Sequence, residues 1–344
     1  QQHPGSSGFG DLDYKNEGTA AWNIHNAWLI TMLGVVDGWV RRVGSYRPPS
    51  NTGGYHSVSN GLRLYHTRNV TIEDVMIHHP QYEGGGGNGY PFLFQGSDNL
   101  MVDCAAVSGR HAYSLKSMTT SGNVLLESST SHPRYGTDFH MHLAMSNLID
   151  SLVLEKDYID ATYRPYGSAH GYTTTQTVIW NSRGLGYHLD KDYIVDSRQF
   201  AWGLAIGSEG AAPGIKTLPL LDTKDTAPED FREGEGHGGS LQPRSVYRDQ
   251  LARRLNGGQA PSYLAELKNL APTDDTFTRG GQYAGDNYGT EKLLHIKDAS
   301  EAYKRYSYLK FDLSTIQRPI LEAVLLVHGR TSDLSGTHSD VRVH

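Results

Sequence analysis

Short apolar segments recur along the first 210 residues, and one or two polar residues precede each of them. The segments are three to six residues long, rich in β-branched side chains and bounded by Gly, Ser, Asn and Thr, which predicts strands. Their asparagine anchors are spaced by 30, 24 and 24 residues, with a further step of 30 to a weaker copy. Strands at this spacing predict a parallel β-helix, in which each repeat forms one coil and stacking buries the apolar face. The copies are Arg68–Ile72, Asp98–Val102, Gly122–Leu126, Ser146–Asp150 and Gln176–Trp180.

The pattern therefore predicts an all-β protein with a right-handed parallel β-helix over residues 1–240 as its catalytic domain. An irregular β-sandwich is the alternative, but its strands usually recur every ~8–12 residues. After the repeats, Ser245–Leu255 has the apolar spacing of a short amphipathic helix and ends at an Asn-Gly-Gly stop. A second, weaker helix is expected over residues 261–270, so residues 241–270 should form a helical cap or linker.

Counting back from each anchor aligns a second strand in every coil. Because side chains along a strand alternate between its two faces, the alignment separates inward from outward positions. In one coil it places Leu93 inward and Phe92 and Phe94 outward. In the following coils the inward positions are Leu115, Phe139 and Met141. The outward positions are Lys116, His140 and His170 in one column, with Asp138, His142 and Tyr172 beside it.

Basic and aromatic residues precede these strands in three consecutive coils, so they should lie at one end of the same sheet. A local basic patch on a chain of net charge −6 suits a polyanionic substrate. Solenoids also stack like residues into ladders, and 17 histidines cluster by chance, so a purely structural patch is the alternative. The candidate substrate-binding residues are Arg110, His111, Arg134, Tyr135, Arg164 and Tyr166.

β-Elimination on a uronic-acid polysaccharide fits this patch. The reaction needs a cation beside the substrate carboxylate, a base for the C5 proton and an acid for the leaving oxygen. Imidazole titrates near neutral pH, so His140 or His170 is the candidate base. The candidate cations are Lys116, Arg134 and Arg164, and the candidate acids are Tyr172, Tyr135 and a second histidine such as His142.

Two other chemistries fit the same residues. Glycoside hydrolysis needs two carboxyl groups. Asp138 is the one acid among the outward positions, and its possible partners Asp160, Asp190 and Asp196 do not align with it. A divalent metal ion is the third option. Its ligands would be Asp138, His140 and His142 on one strand face, with His170 as a fourth. β-Elimination by the histidines requires no cofactor.

Composition narrows the function further. No run of about 18 apolar residues occurs, so no membrane-spanning segment is expected. The acidic net charge argues against a nucleic-acid partner. The single cysteine, Cys104, excludes an intrachain disulfide and a thiolate zinc site. The chain begins at Gln1 without a signal-peptide pattern and ends at His344 in a strand-rich region, so we expect a processed chain or a fragment.

A different strand pattern begins near residue 271, with the spacing of an antiparallel sandwich. Its motifs are Asp275–Gly281, Asn287–Gly289 and Tyr308–Leu313. On these motifs residues 274–344 resemble the first half of a DNRLRE-type β-sandwich module, which is related to a carbohydrate-binding module attached to alginate lyases. We therefore expect residues 271–344 to form the N-terminal part of such a module. The first 210 residues resemble, more loosely, the pectate-lyase-like superfamily of right-handed β-helices.

Together the two resemblances imply a secreted or cell-surface carbohydrate-active enzyme, by analogy with proteins that combine these parts. We therefore predict a polysaccharide lyase that cleaves an acidic polysaccharide by β-elimination. A glycoside hydrolase on the same scaffold and a non-catalytic, glycan-binding β-solenoid are the alternatives.

Overall fold

The computed structural model describes residues 9–47, 49, 53–165, 170–210, 214–217, 229–258, 270–297, 299–314 and 325. The chain divides into two compact units, residues 1–259 and residues 260–344. Apart from Leu270, the second helix predicted over residues 261–270 lies outside the described residues, as does Tyr166. In the described part the helices are α1 (Ala20–Ile24) and α2 (Val246–Leu255), with 3₁₀ turns at Asp13–Lys15, Gly238–Ser240 and Gly281–Tyr283.

Short strands make up most of the regular structure. In chain order they are β1 (Trp28–Leu33), β2 (Trp39–Gly44), β3 (Asn60–Arg68), β4 (Thr71–His78), β5 (Phe92–Ser97), β6 (Leu100–Val102), β7 (Ala105–Val107), β8 (Tyr113–Lys116), β9 (Val124–Leu126), β10 (Ser129–Ser131), β11 (Thr137–His140), β12 (Ala144–Met145), β13 (Leu148–Asp150), β14 (Val153–Glu155), β15 (Ile159–Ala161), β16 (Tyr163–Arg164), β17 (Gly171–Tyr172), β18 (Thr174–Thr175), β19 (Val178–Gly186), β20 (Val195–Ser197), β21 (Leu204–Gly210), β22 (Ile215–Thr217), β23 (Phe231–Glu233), β24 (Asp274–Arg279) and β25 (Arg305–Lys310).

Parallel pairing joins the strands of the first unit into two long sheets. The eight-stranded sheet has the order β1-β3-β5-β8-β11-β15-β20-β22. The larger sheet runs β13-β9-β6-β4-β7-β10-β14-β19-β21-β23, with β2 also paired to β4 and β13 also paired to β19. The chain thus winds as a parallel β-solenoid of about seven turns, which confirms the predicted all-β architecture.

Single residues with a left-handed backbone turn the chain at the corners of each coil. Most L-residues adopt this conformation at a cost of about 1–2 kcal/mol, and Gly, Asn and Asp tolerate it best. This preference explains why polar residues precede each apolar segment. The corner before the larger sheet has φ between 52° and 65° at Asp37, Asn69, Asp98, Gly122, Ser146 and Gln176. The corner within the larger sheet has φ between 45° and 68° at Arg42, Asp74, Asp103, Glu127, Ser151, Asn181 and Gly207.

The recurring asparagines form a ladder inside the solenoid. Asn123 Oδ1 accepts hydrogen bonds from the backbone N–H and the side-chain amide of Asn99, at 3.0 and 2.9 Å. Asn147 Oδ1 accepts the same pair from Asn123, at 3.1 and 2.9 Å. Buried backbone groups need such partners, so the repeat has a structural cause. The ladder confirms the predicted anchors except the first, because Val70, and not Asn69, lies opposite Asn99.

The prediction of which residues face the core is correct in the coils of regular length. Leu115 and Phe139 pair on β8 and β11, and they are 1% and 0% exposed. Met141 is not buried, because β11 ends at His140 and the next residues turn with left-handed φ. In the preceding coil the predicted register is off by three residues, which exchanges the two faces of the strand. Phe94 pairs with Leu115 and lies in the core with Phe92, whereas Leu93 shares the outward side with Ser114.

Helix α2 is present as predicted, and it lies on the flank of the solenoid rather than over one end. The Ser245 hydroxyl caps the helix by accepting from the Arg248 N–H at 3.1 Å. Asp150 Oδ2 on β13 accepts from the Ser245 hydroxyl and the Tyr247 N–H, both at 2.8 Å. Arg248 also pairs with Glu127, one coil earlier, at 2.6 Å. These partners belong to middle coils, so α2 covers a side of the stack.

The described part of the second unit contains an antiparallel pair, β24 with β25. Phe277 on β24 is 5% exposed, and its ring lies 4.5 Å from Tyr288 and 4.9 Å from His295. The antiparallel pairing agrees with the strand pattern predicted for this region. Two of the residues in this aromatic cluster, Phe277 and Tyr288, belong to the motifs on which the resemblance was based.

Candidate functional site

The outward side of the eight-stranded sheet carries a row of acids in neighbouring coils. Asp138, Asp160 and Asp196 occupy equivalent positions on β11, β15 and β20. Lys116 and His140 pair with each other two residues further along β8 and β11. The sequence-based expectation that no second acid aligns with Asp138 is therefore wrong. The predicted pairing of Lys116 with His140 is confirmed.

Asp138 lies at the centre of this row and is fully buried, although an exposed position was predicted. Its Oδ2 atom accepts hydrogen bonds from Arg164 Nη1 and His140 Nδ1, both at 3.0 Å, and lies 3.5 Å from His111 Nδ1. Burial alone would raise the pKa of Asp138, but the three basic side chains hold it well below its usual range. Asp138 is therefore ionised at neutral pH, and Arg164, which carries its charge throughout that range, is its main counter-ion.

Arg164 reaches Asp138 from a hairpin that interrupts the repeat. Strands β16 and β17 pair antiparallel, with Arg164 opposite Gly171. Arg164 Nη2 donates to Asp160 Oδ2 at 2.7 Å while Nη1 contacts Asp138. The side chain is only 6% exposed. Because both terminal nitrogens bind carboxylates of the protein, Arg164 is placed to position these acids, in contrast to its predicted contact with substrate.

His140 is oriented by the Asp138 carboxylate. Its Nδ1 atom lies 3.0 Å from Asp138 Oδ2 and 3.1 Å from Arg164 Nη1. When Nδ1 carries the proton and donates it to the carboxylate, Nε2 keeps a lone pair that can accept a proton. The His140 side chain is 14% exposed. The arrangement is an acid–imidazole dyad at the surface of the sheet.

His170 lies beside His140, as predicted, but for a different reason. The two ring centres are 5.0 Å apart and the rings meet edge to face at 89°. The strand that follows β11 in the sheet is β15, so His170 is not at the equivalent position of the next coil. It comes from the hairpin, immediately before β17. Burial lowers the pKa of His170, and the neighbouring His140 and Arg164 lower it further.

His111 lies next to the dyad, with its ring stacked on Tyr90 and tilted against Tyr135. Its ring lies 5.4 Å from Tyr90 and 5.6 Å from Tyr135. His111 Nδ1 donates to the Gly136 carbonyl at 2.7 Å. Burial lowers the pKa of His111 to about 4, so the ring is neutral at pH 7. Burial raises the pKa of Tyr90, and the Asp138 charge adds to the rise, so its hydroxyl stays protonated.

Two cations close to the dyad have no carboxylate partner among the described residues. They are Lys116, which pairs with His140, and Arg110, whose guanidinium lies 5.1 Å from the Tyr135 ring centre. Burial lowers the pKa of Lys116, although the Asp138 charge opposes the shift. The Nε and Nη1 atoms of Arg110 are buried without a hydrogen-bond partner in the described structure. Neither cation is therefore neutralised by a carboxylate of the described structure.

Three other predicted site residues have different surroundings. Arg134 forms a two-pronged ion pair with Asp11, at 2.6 and 3.1 Å. The Tyr172 ring contacts the rings of Tyr163 and Phe200, at 4.8 and 5.4 Å. His142 follows the end of β11 with φ of 55°, so it leaves the strand face on which it was predicted.

A cluster of metal-ligand type is present, but its members differ from those predicted. Ligand atoms of His111, Asp138 and His140 lie within 4.8 Å of one another, and His111 takes the place predicted for His142. Arg164 Nη1 lies 3.0 Å from the same carboxylate oxygen. A divalent cation at this position would be repelled by the guanidinium.

Sequence reasoning missed Tyr90 and Asp160 as residues of this site. Tyr90 lies 21 residues before His111, and only the stacking of the coils brings the two rings to 5.4 Å. Asp160 follows Asp138 by 22 residues, close to the shorter spacing of the repeat.

Comparison with known proteins gives one match. Residues 266–344 match the model of carbohydrate-binding module family 96. No curated protein sequence and no solved structure matches the chain significantly. The matched module and the β-solenoid indicate a carbohydrate-related function with a glycan as partner. None of the helices in the described part of the chain is both long and apolar enough to span a bilayer.

Proposed function

We propose that this protein is a polysaccharide lyase that cleaves a uronic-acid polysaccharide by β-elimination, outside the cell or at its surface. The observation that carries the proposal is the dyad of ionised Asp138 and His140, set beside cations with no carboxylate partner of their own. In the reaction a base removes the C5 proton, a C4–C5 double bond forms and the C4–O4 bond breaks. The leaving oxygen takes up a proton, which balances the step.

His140 is the base in this proposal. Asp138 holds Nδ1 at 3.0 Å, so Nε2 keeps the lone pair that accepts the C5 proton, and the buried charge stabilises the imidazolium formed after proton transfer. Arg164 keeps Asp138 ionised and in place. His170, edge-on to His140, is the alternative base.

The cations take the two remaining roles. Arg110 binds the substrate carboxylate, since its unpartnered guanidinium nitrogens suit a carboxylate and neutralisation acidifies the C5 proton. Lys116, next to His140 in the sheet, protonates the leaving oxygen. Its lowered pKa makes it a better acid than a solvated lysine. The matched module would bind the same polymer.

Glycoside hydrolysis is the second candidate, because Asp160 and Asp196 pair across adjacent strands. Neighbouring strands are about 4.8 Å apart, close to the ~5 Å between the carboxyl groups of retaining glycosidases. Burial raises the pKa of Asp196, as a general acid requires. Asp160, however, is bound by Arg164 at 2.7 Å, which favours the dyad as the reacting group.

Activity on a panel of uronic-acid polysaccharides tests the proposal. A lyase produces an unsaturated uronate, so ultraviolet absorbance should rise in step with new reducing ends. Reducing ends without the absorbance would establish a hydrolase, and Asp196→Asn should then abolish activity. Binding without either product would establish a glycan-binding solenoid and refute the enzyme.

Variants of the lyase separate the roles. His140→Ala should lower kcat by about 10²-fold or more if His140 moves the proton. Arg110→Ala should mainly raise KM, since binding of the carboxylate is lost. His132→Asn is the matched control, because His132 is an exposed histidine on a corner of the same solenoid. Near-normal kcat in both His140→Ala and His170→Ala would refute the assigned base.

A further inference from the structure

A second group of histidines lies at a corner of the solenoid and shares no residue with the site above. His78 is the last residue of β4, His79 follows it, and His56 comes from the loop before β3. One nitrogen from each lies within 4.8 Å of the others. The ring centres are 5.2 Å apart for His56 and His78, 5.7 Å for His56 and His79, and 5.9 Å for His78 and His79.

The corner explains how two consecutive residues reach the same point. Successive side chains of a strand point to opposite faces. His79, however, has φ of 42°, so the chain turns there and its ring comes round to the side of His78. The His56 N–H donates to the His79 carbonyl at 3.0 Å and fixes the loop over the pair. A backbone hydrogen bond therefore fixes the positions of His56 and His79, in addition to the contacts between the rings.

The hydrogen bonds around the rings leave nitrogens suited to a metal. His56 Nδ1 lies 3.0 Å from the Ser45 carbonyl, which can only accept, so Nδ1 carries the proton and Nε2 keeps a lone pair. A histidine that ligates a metal usually donates its other N–H to a carbonyl or carboxylate in this way. His78 Nε2 is buried and has no hydrogen-bond partner among the described residues.

Ser45 organises both halves of the group. Its hydroxyl accepts the His78 backbone N–H at 2.8 Å, and its carbonyl accepts from His56. Burial lowers the pKa of His78 to about 4, and the neighbouring His56 and His79 lower it as well. The His78 ring is thus neutral at pH 7, as a metal ligand must be.

We propose that His56, His78 and His79 bind a divalent transition-metal ion of the zinc class, with a fourth position left to water. Three imidazoles with one open position form a donor set that zinc accepts, and imidazole also suits copper and nickel. The ion would join the loop that carries His56 to the end of β4.

Zinc titration of the metal-stripped protein tests the proposal, with bound metal measured by equilibrium dialysis and elemental analysis. We expect one tightly bound zinc per chain. His56→Ala and His79→Asn should each weaken zinc binding by about 10-fold or more. Even the loss of a residue that only hydrogen-bonds to a metal ligand typically lowers metal affinity by about 10–100-fold. Cobalt substitution should give the visible absorption of a four-coordinate site, and this absorption should be lost in both variants.

Two control variants locate the ion. His132 lies at the same corner position two coils further on, also with left-handed φ, so His132→Asn should leave zinc binding unchanged. His140→Ala removes a ligand of the cluster around Asp138 and should also leave it unchanged. Zinc lost in His140→Ala but kept in His56→Ala and His79→Asn would overturn the proposal, as would the absence of stoichiometric zinc in the folded wild type.

Discussion

Replacing Asp138 by Asn should lower the free energy of unfolding, and the size of the loss should measure how much the buried charge stabilises the fold. Asp and Asn side chains have nearly the same size, so the substitution removes a charge and almost no volume. Asp138 is 0% exposed and contacts Arg164, His140 and His111. Breaking a buried ion pair by removing one partner typically costs about 3–5 kcal/mol. Arg164 keeps Asp160 at 2.7 Å, so we expect the lower end, about 3 kcal/mol.

The effect should depend on pH in a defined direction. The folded-state pKa of Asp138 lies well below its unfolded value near 3.8. The carboxylate therefore stabilises the fold fully above the unfolded pKa, and this contribution is lost as pH falls through the folded pKa. Urea unfolding followed by far-ultraviolet circular dichroism should show the full difference between wild type and Asp138→Asn at neutral pH. The difference should shrink as the pH falls below 3.8.

Asp98→Asn is the matched control for an exposed ion pair. Asp98 lies 3.2 Å from Arg68, and the side chains are 48% and 65% exposed. Asn also tolerates the left-handed φ of 54° at this position, so no strain is added. Exposed pairs contribute about 1 kcal/mol or less. If Asp138→Asn is as mild as Asp98→Asn, or if its effect does not shrink in acid, Asp138 is not the ionised centre of the site.

Three further substitutions test the fold, each by the free energy of unfolding in urea. Phe139→Ala should cost about 3–5 kcal/mol because it empties a fully buried site, whereas Leu185→Ala, at 56% exposure, should have little effect. Asn123→Ala should cost about 1–3 kcal/mol, since it leaves the buried backbone N–H of Asn99 without its acceptor. Arg134→Ala should cost about 1 kcal/mol or less, because its pair with Asp11 is exposed, and a larger loss would show that this pair holds the N-terminal segment in place.

The sequence was sufficient to predict the solenoid because its repeat has local causes. A left-handed corner needs Gly, Asn, Asp or another polar residue, and the ladder needs an amide at one position per coil. Both requirements are visible in the sequence as particular residue types at a fixed spacing. The anchor strands of three coils with a 24-residue step therefore aligned correctly. In two of these coils the second strand also aligned, with Leu115 beside Phe139 and Lys116 beside His140.

The alignment failed where corner lengths change, since counting from an anchor assumes that they do not. Eight residues separate Leu115 from Asn123, and eight separate Phe139 from Asn147, but only five separate Phe94 from Asn99. The corner is three residues shorter, so the alignment exchanged the two faces of the strand and placed Leu93 inward instead of Phe94. Corner length depends on which backbone turns fit the neighbouring coils, and the apolar pattern of one strand does not contain that information.

The candidate site itself depends on a departure from the repeat. Ala161 lies sixteen residues before the anchor Thr177, because the β16–β17 hairpin adds eight residues to the usual corner. A regular coil would have delivered no arginine to Asp138, and a buried carboxylate without a counter-ion would be protonated. The hairpin supplies both Arg164, which ionises Asp138, and His170, which lies edge-on to His140. The strict repeat therefore places Lys116, Asp138 and His140 next to one another. The inserted hairpin keeps the Asp138 carboxylate charged, and this charge allows His140 to act as a base.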